Sequence, residues 1–148
     1  MPLSLQEKGM KIYNSKQLKL LQKEFNDRFP FLKIEFFKNP HPYGADSSEI
    51  ERLDPELTVG DVRKMENVGK LTMDGDLPVG IFEKMLEERF GLFVQVYRNS
   101  YGKWLQTWVT DIWTLEEQNN RGKVLNQATR PSFNSVNFNT FRDLNGLT

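Results

Sequence analysis

The chain has 148 residues, 38% of them hydrophobic, which is enough apolar material for one core and not for two, so a single domain with peripheral segments is expected. Twenty Lys and Arg balance twenty Asp and Glu, which removes the simplest electrostatic argument for a nucleic-acid partner. No cysteine is present, which excludes disulfides, thiolate nucleophiles and thiolate metal sites and suits a reducing cytoplasm.

The opening MPLSLQEKGMKIYN lacks the apolar run of a signal peptide, and no stretch approaches the length of a membrane span. The expectation is therefore a soluble cytoplasmic protein, with residues 1–9 as a loose extension, 10–127 as one α+β domain and 128–148 as an Asn/Phe-rich tail. Met10 to Tyr13 form a short apolar segment, and Asn14 with Gln17 approximates a capping box. Leu18, Leu21, Phe25 and Phe29 then make one stripe of a 3.6-residue period, a helix that Pro30 ends. From Phe31 to Phe37 the period becomes two, with Leu32, Ile34 and Phe36 on one face and Phe31, Lys33, Glu35 and Phe37 on the other, which is a strand.

Residues 38–57 hold three of the seven prolines and read as a long loop, with a turn of helix near Ile50 to Leu53. It carries His41, the chain's single histidine, near Asp46 and Glu49. A histidine beside a carboxylate suits general acid-base work, whereas a histidine between prolines on a polar loop is ordinarily just solvated. Ser47 and Ser48 fit no nucleophile pattern. Thr58 and Asp61 make an N-cap for a short helix whose apolar side is Val59, Val62 and Met65.

Leu71 to Met73 begin a second round. Pro78 suits a first helical turn, and Val79, Phe82, Leu86 and Phe90 repeat the earlier stripe until Gly91 breaks it. Leu92, Val94 and Val96 then alternate with Phe93, Gln95 and Tyr97 as a second strand. Met73, Val79 and Phe90 each stand 61 positions after Ile12, Leu18 and Phe29, and Val94 stands 60 after Ile34. That spacing predicts two pseudo-repeated βαβ units, ferredoxin-like or related, on one shared sheet. Residues 92–109 predict a hairpin turning at Asn99 to Gly102, which adds a strand, and Thr114 with Glu117 caps a C-terminal helix to Gln127 that Gly122 weakens. In the tail, Phe133, Val136, Phe138 and Phe141 follow neither a helical nor a strand period.

If the stripes aim Ile34, Phe36, Val94 and Val96 at the helices, the opposite sheet face gathers aromatic residues. The candidate binding residues there are Phe37, Phe93, Tyr97, Arg98, Trp104 and Trp108. Such a face could bind another protein or stack single-stranded bases, and it would serve neither role if the C-terminal helix and tail cover it. The RNA-recognition strand motif is absent, and zero net charge disfavours nucleic acid. The run EKMLEER, with Glu83 and Glu87, reads as a solvated helix face. Asp74-Gly75-Asp76 lacks the spacing of a calcium loop, and no glycine-rich phosphate loop occurs. No cofactor is implied.

The motifs FPFLKIEFFK, FGLFVQVYR and TDIWTLEEQN together resemble a group of short bacterial proteins of unassigned function, over roughly residues 10 to 122. The resemblance implies no activity and no catalytic residues. The reading that follows is a small protein-interaction module using the aromatic face, a strand edge or the tail. Its alternatives are a single-stranded nucleic-acid binder and, third, an enzyme built on the His41 loop.

Overall fold

The computed structural model describes residues 9–41 and 47–127. In chain order the elements are β1 (Gly9–Ile12), α1 (Leu18–Arg28), β2 (Leu32–Phe37), a 3-10 turn (Glu49–Glu51), α2 (Val59–Val62) and β3 (Gly69–Thr72). They continue with α3 (Val79–Phe90), β4 (Phe93–Ser100), β5 (Lys103–Gln106), a second 3-10 turn (Trp108–Thr110) and α4 (Leu115–Gln127). The class is α+β, as expected. No helix among the described residues is long and apolar enough to cross a membrane.

The strands do not build the one sheet predicted. β1 pairs antiparallel with β3, and separately β2, β4 and β5 form an antiparallel sheet in that order. Hydrophobic period fixes which face a strand buries but says nothing about which edge it pairs with. Here β1 takes β3 as its neighbour, and β2 takes β4. Met10 stands opposite Leu71 in one sheet, and Glu35 stands opposite Gln95 in the other.

The helix starts are tied in the same pairwise way. Leu18 and Lys19 of α1 donate their N–H groups to the carbonyls of Leu57 and Pro55, at 2.9 and 3.0 Å, before α2. Val59 and Gly60 of α2 return bonds to Lys16 and Asn14, at 2.8 and 2.9 Å. In the second half, Leu115 and Glu116 of α4 donate to Leu77 and Gly75, at 2.9 and 3.0 Å, while Val79 and Gly80 of α3 donate to Trp113 and Asp111, at 2.8 and 2.9 Å. Helix N-termini leave unpaired N–H groups, and these exchanges satisfy two per helix. They replace the capping box expected at Asn14, since Gln17 is the N-cap and its side chain makes no cap bond. Thr58 with Asp61 and Thr114 with Glu117 do form reciprocal caps.

Both helical stripes point inward, as expected. Leu18, Leu21, Phe25 and Phe29 of the first meet Val79, Phe82, Leu86 and Phe90 of the second in one core with Ile34, Phe36, Val94 and Val96. The Phe25 and Phe82 rings lie 5.2 Å apart and join the two helices directly. Gly91 closes α3 at φ 68°, in the left-handed region that glycine adopts without strain. The hairpin turns at Tyr101-Gly102, with both residues at positive φ, the geometry that matches the twist of two antiparallel strands.

α4 packs at the Phe31 and Asn99 end of the larger sheet, on the side of Arg98, where a Cβ at Gly122 would stand 2.7 Å from the Phe31 Cβ and 3.0 Å from the Asn99 carbonyl oxygen. The glycine that lowers helix propensity is thus the one that lets α4 seat. On the same sheet, Tyr97 donates its hydroxyl to Glu49 (2.7 Å) and receives Arg52 Nη2 (3.3 Å).

Candidate functional site

The six residues expected to form an aromatic binding face do not share one surface. Phe37, Tyr97 and Arg98 are buried, Phe93 and Trp108 are half-buried, and Trp104 is 37% exposed. Burial pushes the Tyr97 phenol up, and its bond to Glu49 adds to that. Arg98 bonds Ser100 and Gln118, both at 2.9 Å, and burial, with Arg121 beside it, lowers its pKa to about 10. These groups knit α4 and the 47–53 segment onto the sheet. Trp104 remains at the surface of the short strand β5, with Lys33 Nζ 5.0 Å from its ring. Asp46 and the tail's Phe133, Val136, Phe138 and Phe141 lie outside the described residues.

A different site appears where β4 leaves its neighbour. β5 covers β4 only as far as Tyr97, and Thr107 finishes the pairing by donating its N–H and hydroxyl to the Val96 carbonyl at 3.1 and 2.9 Å. Beyond that point a cavity of about 520 Å³ opens between the first turns of α3, the end of β4, the 40–41 segment and the turn at 111–112. Its polar lining is His41, Glu83, Lys84, Glu87 and Asp111, and its apolar lining includes Pro40, Pro78, Ile81, Phe93, Val94 and Ile112. Its volume is that of an ordinary small-ligand site.

Glu83 is the centre of it. It stands four residues after Val79 and three before Leu86, inside the apolar stripe, and is only 6% exposed. The solvated-face reading of EKMLEER is therefore corrected at this residue. Its Oε2 accepts the Val96 N–H at 2.8 Å, and so takes the ladder bond that β5 no longer offers. Its Oε1 lies 3.4 Å from His41 Nε2, an ion-pair approach too long for a strong hydrogen bond, and accepts none from the described residues. Burial raises the Glu83 pKa, opposed by His41 and the Val96 N–H.

Asp111 is carried to the site by the helix-start exchange, since its own carbonyl accepts the Gly80 N–H at 2.9 Å. A Cβ on residue 80 would come 3.3 Å from the Asp111 Cβ, so glycine there permits the approach. Burial, and next the Glu83 charge, raise the Asp111 pKa to about 7, with His41 pulling the other way. Its buried Oδ1 also accepts no bond from the described residues. A glutamate and an aspartate with raised pKa values, lining one cavity with a histidine, form an arrangement able to give and take protons. Among the described residues no three His, Asp or Glu side chains gather closely enough to hold a metal ion.

The matching groove in the first half is closed. Gln22 and Asn26 stand 61 positions before Glu83 and Glu87 on α1. Gln22 donates to the Ile34 carbonyl at 3.0 Å, and Asn26 donates to the Leu32 carbonyl at 2.8 Å. Carboxylates cannot make those bonds, and Glu83 instead accepts the Val96 N–H.

Fold and site together define an α+β protein with an open cavity, lined by a histidine and three carboxyl groups, between α3 and β4. No family model matches the chain, and neither does any curated protein or solved structure.

Proposed function

We propose that the chain binds a small organic ligand in the α3–β4 cavity and exchanges a proton with it through His41, Glu83 and Asp111. The observation that carries this reading is the buried Glu83 carboxylate, on a residue that lines the cavity and with its Oε1 3.4 Å from His41 Nε2. Burying an acid without full hydrogen bonding is costly, and such groups concentrate where their chemistry is used. The matching class of chemistry is general acid-base catalysis. The cysteine-free composition supports a reducing, cytoplasmic setting.

The two halves are read as an internal pseudo-repeat. Three features support this: the 61-residue spacing of the stripes, the pairing of Met10 with Leu71 and Glu35 with Gln95, and the matched helix-start exchanges.

The test is a fragment screen followed by proton-coupled calorimetry. Hits should shift the backbone amide signals of Gly80, Val94 and Asp111, and their heats of binding should differ between phosphate and Tris buffers, because a proton moves. Hits that gather elsewhere, or heats independent of buffer, would count against it.

A second reading, a protein-interaction module, is favoured by one observation. Among the described residues the outer edge of β5 has no strand neighbour, and it carries Trp104 and Leu105, both exposed. Unpaired edges accept added strands. Lysate capture that is lost on Leu105→Pro, with the cavity variants unaffected, would move the function to that edge. Base stacking on the sheet needs free ring faces, and Phe37 and Tyr97 offer none.

A further inference from the structure

We infer that the ligand of this cavity is an organic primary ammonium, carried on an apolar body; the inference rests on the cavity being the ligand site. Three carboxyl groups line it, those of Glu83, Glu87 and Asp111. The one lysine there, Lys84, has its Nζ 3.8 Å from Glu88 Oε1, so its charge is shared with an acid that does not line the cavity. Acidic lining alone would say little. The second, independent observation is that Glu83 is 6% exposed and its Oε1 accepts no hydrogen bond from the described residues.

Asp111 Oδ1 is likewise buried and accepts no bond from the described residues. The side-chain donors in the lining are His41, 3.4 Å from Glu83 Oε1, and Lys84, shared with Glu88, so three carboxyl groups outnumber them. An ammonium supplies three donors and no acceptor, whereas a carboxylate or phosphate ligand would supply only acceptors and add charge of the wrong sign. A neutral alcohol brings one donor and no charge.

A bare metal ion is the other cation to weigh. No three His, Asp or Glu side chains among the described residues are gathered to coordinate one. The walls also speak for an organic ligand. Pro40, Pro78 and Phe93 are part of the lining, and so are Ile81 and Ile112, 47% and 79% exposed. Isoleucine so exposed beside an acidic pocket suits contact with the apolar body of a molecule whose charged end is inside.

The experiment titrates the full chain by NMR with 2-phenylethylammonium, 2-phenylethanol and 3-phenylpropionate, which share a body and differ in the end group. The ammonium should shift Gly80, Val94 and Asp111 and bind at least about tenfold more tightly than the alcohol, with the carboxylate not binding. Glu83→Gln and, separately, the more exposed Glu87→Gln should each weaken the ammonium by roughly tenfold and leave the alcohol unchanged. Equal or tighter binding of the alcohol or the carboxylate in the cavity would overturn the ammonium assignment while leaving the cavity as a ligand site. Silence of all three probes at Gly80, Val94 and Asp111, with fragments of other chemistry seated there, would overturn it also. An undisturbed cavity with every compound would remove the site itself.

Discussion

The two helix-strand junctions differ by two pairs of side chains. On α1, Gln22 and Asn26 bond the outward carbonyls of β2, and the groove between helix and strand is shut. On α3, Glu83 and Glu87 hold the matching positions, and a cavity of about 520 Å³ stands there. An amide both donates and accepts, so it can finish a strand edge. A carboxylate can only accept, so it satisfies the Val96 N–H and can bond no carbonyl. One junction closes its strand edge with amides, and the other leaves a buried carboxylate beside an open groove.

The largest effect expected is one the two halves share. Phe25→Ala and Phe82→Ala should each cost about 3–5 kcal/mol in urea unfolding, because each leaves a cavity at the same ring contact. Sharply unequal losses would break the picture of one core served equally by both helices.

Exchanging the grooves comes next. Gln22→Glu should destabilise by about 2–3 kcal/mol at pH 8, since it loses the bond to the Ile34 carbonyl and sets a second carboxylate against Glu35, whose Oε2 now accepts from Gln22 at 3.1 Å. Glu83→Gln should act oppositely and stabilise by about 1 kcal/mol, as the amide keeps the Val96 bond and removes a buried charge. If both substitutions destabilise alike, the grooves are not counterparts.

A comparable contrast separates α2, with 4 residues, from α4, with 13, which packs against the larger sheet. Gly122→Ala should cost about 1–3 kcal/mol by forcing α4 off Phe31 and Asn99, measured by thermal melting. An unchanged melting temperature would mean that α4 does not seat so closely.

The smallest effect is a pH slope. The Asp111 pKa of about 7 lies above its ordinary 3.8, so between those values the folded chain holds a proton that the unfolded chain releases. That contribution is complete below pH 3.8 and is lost as pH rises through about 7. With allowance for the solvent that reaches part of the carboxyl, Asp111→Asn should remove a slope worth on the order of 1–2 kcal/mol across this range, read from melting temperatures at successive pH values. The raised Glu83 acts in the same direction.

Much of the scaffold was legible in the residues. The stripes from Leu18 to Phe29 and from Val79 to Phe90, the alternation at Leu32 to Phe37 and Leu92 to Tyr97, and the Thr58 and Thr114 caps all lie in local patterns that short-range physics imposes. The site was not legible in that way. An inward-facing acid looks the same in a helical pattern as an outward one, although Glu83 falling between Val79 and Leu86 was a signal that could have been used. Asp111 reaches the cavity through backbone bonds to Gly80, 31 positions earlier, and no local spacing encodes that. The aromatic face failed for a related reason, because its cover, from Ser47, Glu49 and Arg52, comes from elsewhere in the chain, and Arg98 turns to the other face.

The central claim is that Glu83 is a buried carboxyl sharing proton equilibria with His41 and Asp111. Carbon-13 NMR of the Glu83 side-chain carboxyl, followed from pH 3 to 9 in the wild type and in Asp111→Asn, tests it most directly. The account predicts titration above the ordinary glutamate range near 4.5, shifted in the variant as the Asp111 charge is removed. A single titration at the ordinary value, unchanged by Asp111→Asn, would contradict it.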